Sequence, residues 1–148
     1  MPPPDPLLSD RLARSVSRVT TTMLGKTFRV AVSVTPVEFW RTVALPIPGS
    51  RPITVALSSD RRGCAALAAA MLGMDEDELG VEMIDDFMRE LLNMTAGQIK
   101  LELSIDQALG LPRVHDGDAL FAAPRLWTHH ALDSDSISLV VSLLAAIV

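Results

Sequence analysis

The chain has 148 residues, 49% of them hydrophobic, and a formal net charge of −5 at pH 7. This length and composition predict one folded domain with a proper core and argue against intrinsic disorder. The acidic balance argues against a nucleic-acid partner. Because Cys64 is the only cysteine, no disulfide framework can form, which favours a cytoplasmic location. No apolar stretch is long enough to cross a bilayer, so no membrane association is expected.

The first part of the chain predicts a helix followed by strands. Residues 1–6 are Pro-rich and predict a disordered tail, which leaves residues 7–148 as the domain. Helix-capping residues and strict apolar alternation mark the elements that follow. They are a helix from Ser9 or Asp10 to Leu24, ended by Gly25, and three strands over 28–34, 37–45 and 53–58.

The second part predicts two helices followed by three more strands. An Ala-rich helix capped by Ser59 or Asp60 is expected to end at Gly73, and a longer helix follows the acidic segment MDEDELG. Turn residues separate the remaining strands. The later elements are a helix over 81–103 and strands over 113–115, 126–132 and 136–145.

This order predicts an α+β fold, with an antiparallel six-stranded sheet and about three helices packed on one face. The opposite face would then carry small, mildly polar side chains. Such a face can pair with another subunit, which makes a homodimer possible. The residues predicted there are Ala31, Ser33, Thr54, Ala56 and Ser136.

The helix over 81–103 has two different faces at 100° per residue. One side is an ordinary apolar stripe that includes Ile84, Met88, Leu91 and Ile99. Gly97 lies in mid-helix, where glycine costs about 1 kcal/mol of helix stability relative to alanine. Its position on the polar side suggests that something approaches the backbone there. The narrow polar arc contains Asp86, Glu90, Asn93, Gly97 and Lys100.

Other candidates for chemistry are weaker. The histidines His115, His129 and His130 lack the spacing of metal ligands, so no metal site is predicted. No phosphate-binding glycine loop and no serine-hydrolase motif occurs. Cys64 lies among alanines without an assignable histidine partner, and a small core residue is the better interpretation. The methionines, such as Met71, Met88 and Met94, are interpreted as core filling.

The segment ELLNMTAGQIKLEL, with LGLPRV downstream, resembles the CheC/CheX family of bacterial chemotaxis phosphatases. The family signature is an Asp or Ser, then Glu, then Asn three residues later, then a Pro further on. Asp86, Glu90, Asn93 and Pro112 stand in these places. Only 18 residues separate Asn93 from Pro112, which is shorter than usual. The first helix carries no Glu-x-x-Asn, so the chain is more similar to single-site CheX members.

The resemblance implies a CheC-like fold and a phosphatase that hydrolyses the aspartyl phosphate of a CheY-like response regulator. Asn93 would position the attacking water, since an amide can both accept and donate hydrogen bonds. Glu90 would pair with the regulator's lysine. The regulator would supply Mg²⁺, so the phosphatase needs no cofactor of its own. Gly97 would allow close approach, and Asp86, Arg89 and Lys100 would help docking.

Two other functions stay open at this point. The chain could be a non-catalytic CheC-like interaction module that binds a signalling or flagellar-switch partner. It could also be a structural domain whose polar helix face is merely solvated. Relatives of the CheX type form dimers, which favours a homodimer here as well.

Overall fold

Three helices and a six-stranded sheet make up the protein, as described for residues 5–32 and 38–148 by a computed structural model. Two short 3-10 turns, Glu76–Glu78 and Ala119–Phe121, lie in the connections. In chain order the elements are α1 (Pro6–Leu24), β1 (Arg29–Val30), β2 (Arg41–Ile47), β3 (Ile53–Ser59), α2 (Arg61–Leu72), α3 (Val81–Glu102), β4 (Arg113–Asp116), β5 (Thr128–Ser134) and β6 (Ile137–Leu144).

The strands are hydrogen-bonded in the order β1-β5-β6-β3-β2-β4, and every neighbouring pair is antiparallel. Tight hairpins join β2 to β3 and β5 to β6, while β3 and β6 meet at the centre of the sheet. The predicted α+β class with a six-stranded antiparallel sheet is therefore confirmed.

One hydrophobic core lies between the sheet and the three helices, because alternate residues of each strand point to the helical side. From the sheet it takes residues such as Val43, Leu57 and Val141, and α1 contributes Leu12 and Val16. The three helices thus pack on one face of the sheet, as predicted.

The other face of the sheet is partly covered by the connection between β4 and β5. The ring of Phe121 packs edge-on against Trp127 and His129, with ring centres 5.0 and 4.8 Å away. Ala56 is buried in a cluster with Trp127, and Thr54 is buried where its hydroxyl donates to the carbonyl oxygen of Ala146, so the expectation that they lie on a free face is wrong. Of the other residues predicted there, Ser136 is exposed, Ala31 is half-buried and Ser33 lies outside the described residues. A homodimer remains a prediction.

Several predicted boundaries shift. The N-cap of α1 is Asp5 rather than Ser9 or Asp10, and its carboxylate accepts a hydrogen bond from the backbone N–H of Leu7 at 3.0 Å. Pro6 suits the first helical position, where a backbone N–H would have no partner. Most of the predicted tail and part of the first two predicted strands, at residues 1–4 and 33–37, lie outside the described residues.

Strand β2 continues through Pro46, one residue beyond the predicted end of this strand at 45. Pro46 pairs with Thr54 of β3, whereas the pairing of β4 with β2 stops at Ala44. At Pro46 the strand is therefore an edge on its other side, where a missing N–H breaks no ladder hydrogen bond. Similarly, β5 runs two residues later than predicted, over Thr128–Ser134.

The basic residues of α1 form ion pairs with the last residue of α3. Arg11, Arg14 and Arg18 reach the carboxylate of Glu102 at 3.1, 3.5 and 3.9 Å. The hydrogen bond from Arg11 is the main reason why the pKa of Glu102 lies below its usual value. The charges of these three arginines are thus partly neutralised by one acid of another helix.

A buried histidine joins α1 to β5 and predicts a pH-dependent stability. The Nδ1 of His130 lies 2.7 Å from the hydroxyl of Ser9, and burial, followed by the neighbouring charge of His129, lowers the pKa of His130. Burial also lowers the pKa of His129. Below the unfolded-state pKa of about 6.5, the unfolded chain binds more protons than the folded chain. We therefore expect the free energy of unfolding to be constant just above that pH and to fall as the pH drops below it.

Urea unfolding at a series of pH values measures this effect. In His130→Gln the slope below about pH 6.5 should become shallower, with the contribution of His129 remaining. An unchanged slope in the variant would contradict the assignment to His130.

Candidate functional site

Helix α3 carries the candidate site and is the longest helix, with 22 residues. Its N-cap is Gly80, and Glu82 in the first turn and Lys100 in the last turn suit the helix dipole. One side is anchored in the core, as the periodicity predicts. The buried residues on this side are Ile84, Phe87, Met88, Leu91, Leu92, Thr95, Ala96 and Ile99.

The opposite side presents the predicted polar arc to solvent. Asp86, Glu90 and Asn93 are exposed, and Gly97 is half-buried further along. Within residues 5–32 and 38–148, the side chains of Glu90 and Asn93 make no hydrogen bond and no ion pair with the protein. A carboxylate and an amide, one helical turn apart on a rigid helix, are therefore available to an external group.

The other charged residues of this arc bind partners within the protein. Arg89 forms an ion pair with Asp86 three residues earlier on the same helix. Lys100 donates a hydrogen bond to the carbonyl oxygen of Gln107 at 2.6 Å. Asp86 thus has its charge offset at the surface, and the amino group of Lys100 holds the loop that follows the helix.

Gly97 leaves open space above the helix backbone. A Cβ built on this residue meets no heavy atom outside the helix's own backbone within 4 Å. Packing inside the protein therefore does not require glycine here, although glycine lowers the stability of a helix interior. The position is consistent with clearance for an external partner.

The short connection from α3 to β4 is hydrogen-bonded to β2. The backbone N–H of Gly110 donates to the carbonyl oxygen of Pro46 at 2.6 Å, and a Cβ on Gly110 would come within 2.7 Å of that oxygen. Only glycine allows this approach. Pro112 follows, half-buried, immediately before β4. The short spacing between Asn93 and Pro112 is thus accommodated by a tightly held loop.

An ion-pair network missed by the sequence interpretation supports the first half of α3. The guanidinium of Arg41 contacts Asp85 at 3.0 Å and Asp116 at 2.9 Å, and it stacks over the ring of Trp40 at 4.1 Å. Asp85 precedes the exposed Asp86 and points to the sheet instead. Because Arg41 and Asp85 are far apart in the sequence, no spacing pattern could have indicated this pair.

An apolar groove, here called the α2–α3 groove, runs beside the polar arc. Its apolar lining consists of Met71 and Leu72 from α2 and Met83, Phe87 and Met94 from α3. Asp86 and Glu90 also line it. Met88 is buried as expected, and Met71 and Met94, which are half-buried, pack against the core and also line the groove.

The other sequence candidates have structural roles. Burial raises the pKa of the Cys64 thiol to about 12, so it is protonated at neutral pH and suits a core position. His129 and His130 bond to the hydroxyls of Ser142 and Ser9. In the described part of the chain, no group of three or more His, Cys, Asp or Glu side chains is arranged to hold a metal ion.

A family model described as "Chemotaxis phosphatase CheX" matches residues 41–129, which is more than half of the chain and includes all of α3. The chain belongs to the CheX family. A search of curated proteins gave no match. Among the described residues of this CheX-family chain, no helix is long and apolar enough to cross a membrane.

Solved structures share the fold of this chain. Chemotaxis protein CheX from Vibrio vulnificus is 16% identical, with a TM-score of 0.74 over 95% of this chain and 96% of that one. The CheX–CheY–BeF3–Mg complex from Borrelia burgdorferi contains a chain that is 14% identical, with a TM-score of 0.68 and coverage of 93% and 96%. Thermotoga maritima FliY is 14% identical, with a TM-score of 0.67 and coverage of 93% and 85%. These likenesses show that the CheX-family chain has the fold of these proteins.

Proposed function

We propose that this CheX-family chain is a phosphatase that hydrolyses the aspartyl phosphate of a CheY-like response regulator. The observation that carries the proposal is the exposed pair of Glu90 and Asn93, one turn apart on α3, whose side chains have no hydrogen-bond or ion-pair partner among residues 5–32 and 38–148. The family match and the relative crystallised with CheY support the same partner class.

The chemistry required of the phosphatase is modest. Water must attack phosphorus in line with the departing carboxylate of the aspartate, and catalysis depends on positioning and charge stabilisation. Mg²⁺ would belong to the regulator. The Asn93 side chain has an acceptor oxygen and donor hydrogens, so it can orient a water without removing its proton. Asn93 is then a positioning group for water and not a general base.

Glu90 would determine the register of docking. As an exposed carboxylate one turn before Asn93, it can pair with the lysine of the regulator and bring the amide to the phosphoryl group. The net charge of −5 opposes docking of an acidic regulator. Arg89 would contribute an attractive charge near the contact. Lys100 would contribute less to docking, because its amino group is hydrogen-bonded to the carbonyl oxygen of Gln107.

Phosphate release is the direct test. Purified single-domain response regulators from the source genome are phosphorylated with a small acyl phosphate in Mg²⁺, and the decay of the aspartyl phosphate is followed with and without the protein. Faster decay for at least one regulator is expected. If every regulator decays at its own intrinsic rate, the phosphatase proposal is wrong, and regulator binding without hydrolysis would favour the interaction-module function.

Gly97→Ala should change stability and activity in opposite directions. In the described part of the chain the new methyl group meets no heavy atom within 4 Å outside the helix's own backbone, and alanine is favoured over glycine in a helix interior, so the free energy of unfolding should rise by about 0.5–1 kcal/mol. The same methyl group would obstruct a partner lying close to α3, so kcat/KM for dephosphorylation should fall. Urea unfolding and the phosphate-release assay measure the two effects. A more stable variant with unchanged kcat/KM would show that no partner approaches Gly97.

A further inference from the structure

The polar arc of α3 lacks the apolar anchor that protein–protein contacts usually need. Binding energy is concentrated in a few desolvated apolar or aromatic contacts, while exposed ion pairs contribute little. Asp86, Glu90 and Asn93 are all exposed polar residues, so they can orient a partner but supply only part of the affinity. An apolar surface next to them would complete the contact.

The α2–α3 groove is such a surface and shares residues with the arc. Leu72 is 44% exposed on the α2 side and Met83 is 38% exposed on the α3 side, while the buried ring of Phe87 lies between the helices. Methionine side chains are flexible and adapt to the shape of an inserted group. Because Glu90 lines the groove as well as the arc, a partner that reaches Glu90 also reaches the groove.

The charges of the groove indicate what should enter it. Its lining is apolar except for the carboxylates of Asp86 and Glu90, and Arg89 offsets the charge of Asp86. The complementary surface carries an apolar side chain beside a cation. A lysine on Glu90 can lay its aliphatic stem along the apolar wall.

We propose that the response regulator docks by placing an aliphatic or aromatic side chain, adjacent to the lysine that pairs with Glu90, into the α2–α3 groove between Leu72 and Met83. This inference rests on the proposed function, because it takes the partner and its lysine from there. It adds that the groove supplies affinity beyond the pairing of Glu90 with the lysine, whereas the rate of hydrolysis depends on Asn93.

The double variant Leu72→Gln/Met83→Gln tests the groove. It introduces residues of similar size and helix propensity but makes the walls polar at two exposed positions. Binding of beryllofluoride-loaded regulators from the source genome is measured by isothermal titration, beside phosphate release from the phosphorylated forms. We expect Kd to rise about tenfold, which corresponds to loss of about 1.4 kcal/mol of apolar contact. Thermal unfolding checks that the variant remains folded.

Two matched variants serve as controls. Leu126→Gln makes the same change at a residue that is 84% exposed before β5, outside the groove, and should bind like the wild type. Leu72→Met/Met83→Leu keeps the groove apolar and should retain the affinity to within about threefold.

The outcomes separate the groove from the phosphatase activity. If the wild type releases phosphate but the polar double variant binds as tightly as it does, the groove inference is wrong and the proposed function stands. If the wild type binds a regulator through the groove without hydrolysis, the groove is supported and the phosphatase function is wrong. If no regulator binds, both are wrong. If the polar double variant has a lower molar mass by light scattering but unchanged regulator binding, the groove joins two copies of this chain and the inference is overturned.

Discussion

Asn93→Ala is expected to lower kcat for dephosphorylation by about 100-fold or more, while the beryllofluoride-loaded regulator still binds with nearly wild-type affinity. Removing a single group that orients a reactant or stabilises the transition state typically has an effect of this size. Asn93 is exposed and makes no side-chain hydrogen bond within the described residues, so its truncation should leave the fold intact. Single-turnover phosphate release and titration of the loaded regulator measure the two quantities separately.

Gln98→Ala is the matched control, because Gln98 is another amide on α3 but lies about 140° around the helix from Asn93. Its rate should be close to that of the wild type. Glu90→Ala should differ from both variants by weakening regulator binding together with the rate. A kcat unchanged in Asn93→Ala would exclude the water-positioning mechanism, even if the protein proved to be a phosphatase.

Leu92→Ala is expected to destabilise the protein by about 3 kcal/mol. Leu92 is 0% exposed and belongs to the core between α3 and the sheet, so truncation leaves a cavity that the surrounding helices and strands cannot fill. This cost is a large fraction of the stability of an ordinary domain. Urea unfolding monitored by circular dichroism gives the free-energy difference.

Leu101→Ala provides the comparison on the same helix. Leu101 is 66% exposed, and the same change should alter stability by no more than about 0.5 kcal/mol. Equal losses in the two variants would mean that α3 is not oriented with Leu92 towards the sheet. That orientation also determines whether Glu90 and Asn93 face solvent, so the stability experiment bears on the site as well.

The candidate site could be located from the sequence because it lies within one helix. Spacings of three and four residues determine which side chains share a face, so Glu90, Asn93 and Gly97 could be grouped without knowledge of the fold. The resemblance to the CheX family also rests on this segment, and the family match to residues 41–129 includes it. The roles of these residues remain predictions.

Strand order and helix starts were less accessible to sequence analysis. The alternation in β3 and β6 predicted both strands, but their central pairing, such as Leu57 with Val141, joins residues far apart in the chain. The N-cap at Asp5 was missed because Ser9 and Asp10 are equally good capping residues in isolation. The buried contact of Ser9 with His130 follows from the folded position of α1.

The sequence by itself determined the α+β class, the two faces of α3 and the exposed Glu90–Asn93 pair, because local periodicity and residue spacing are sufficient for these features. Only the tertiary structure decided that Arg41 holds Asp85, that Thr54 and Ala56 are covered, and that α2 and α3 enclose an apolar groove beside Glu90. Each of these features brings together residues from separate elements, and their proximity depends on how the helices pack on the sheet.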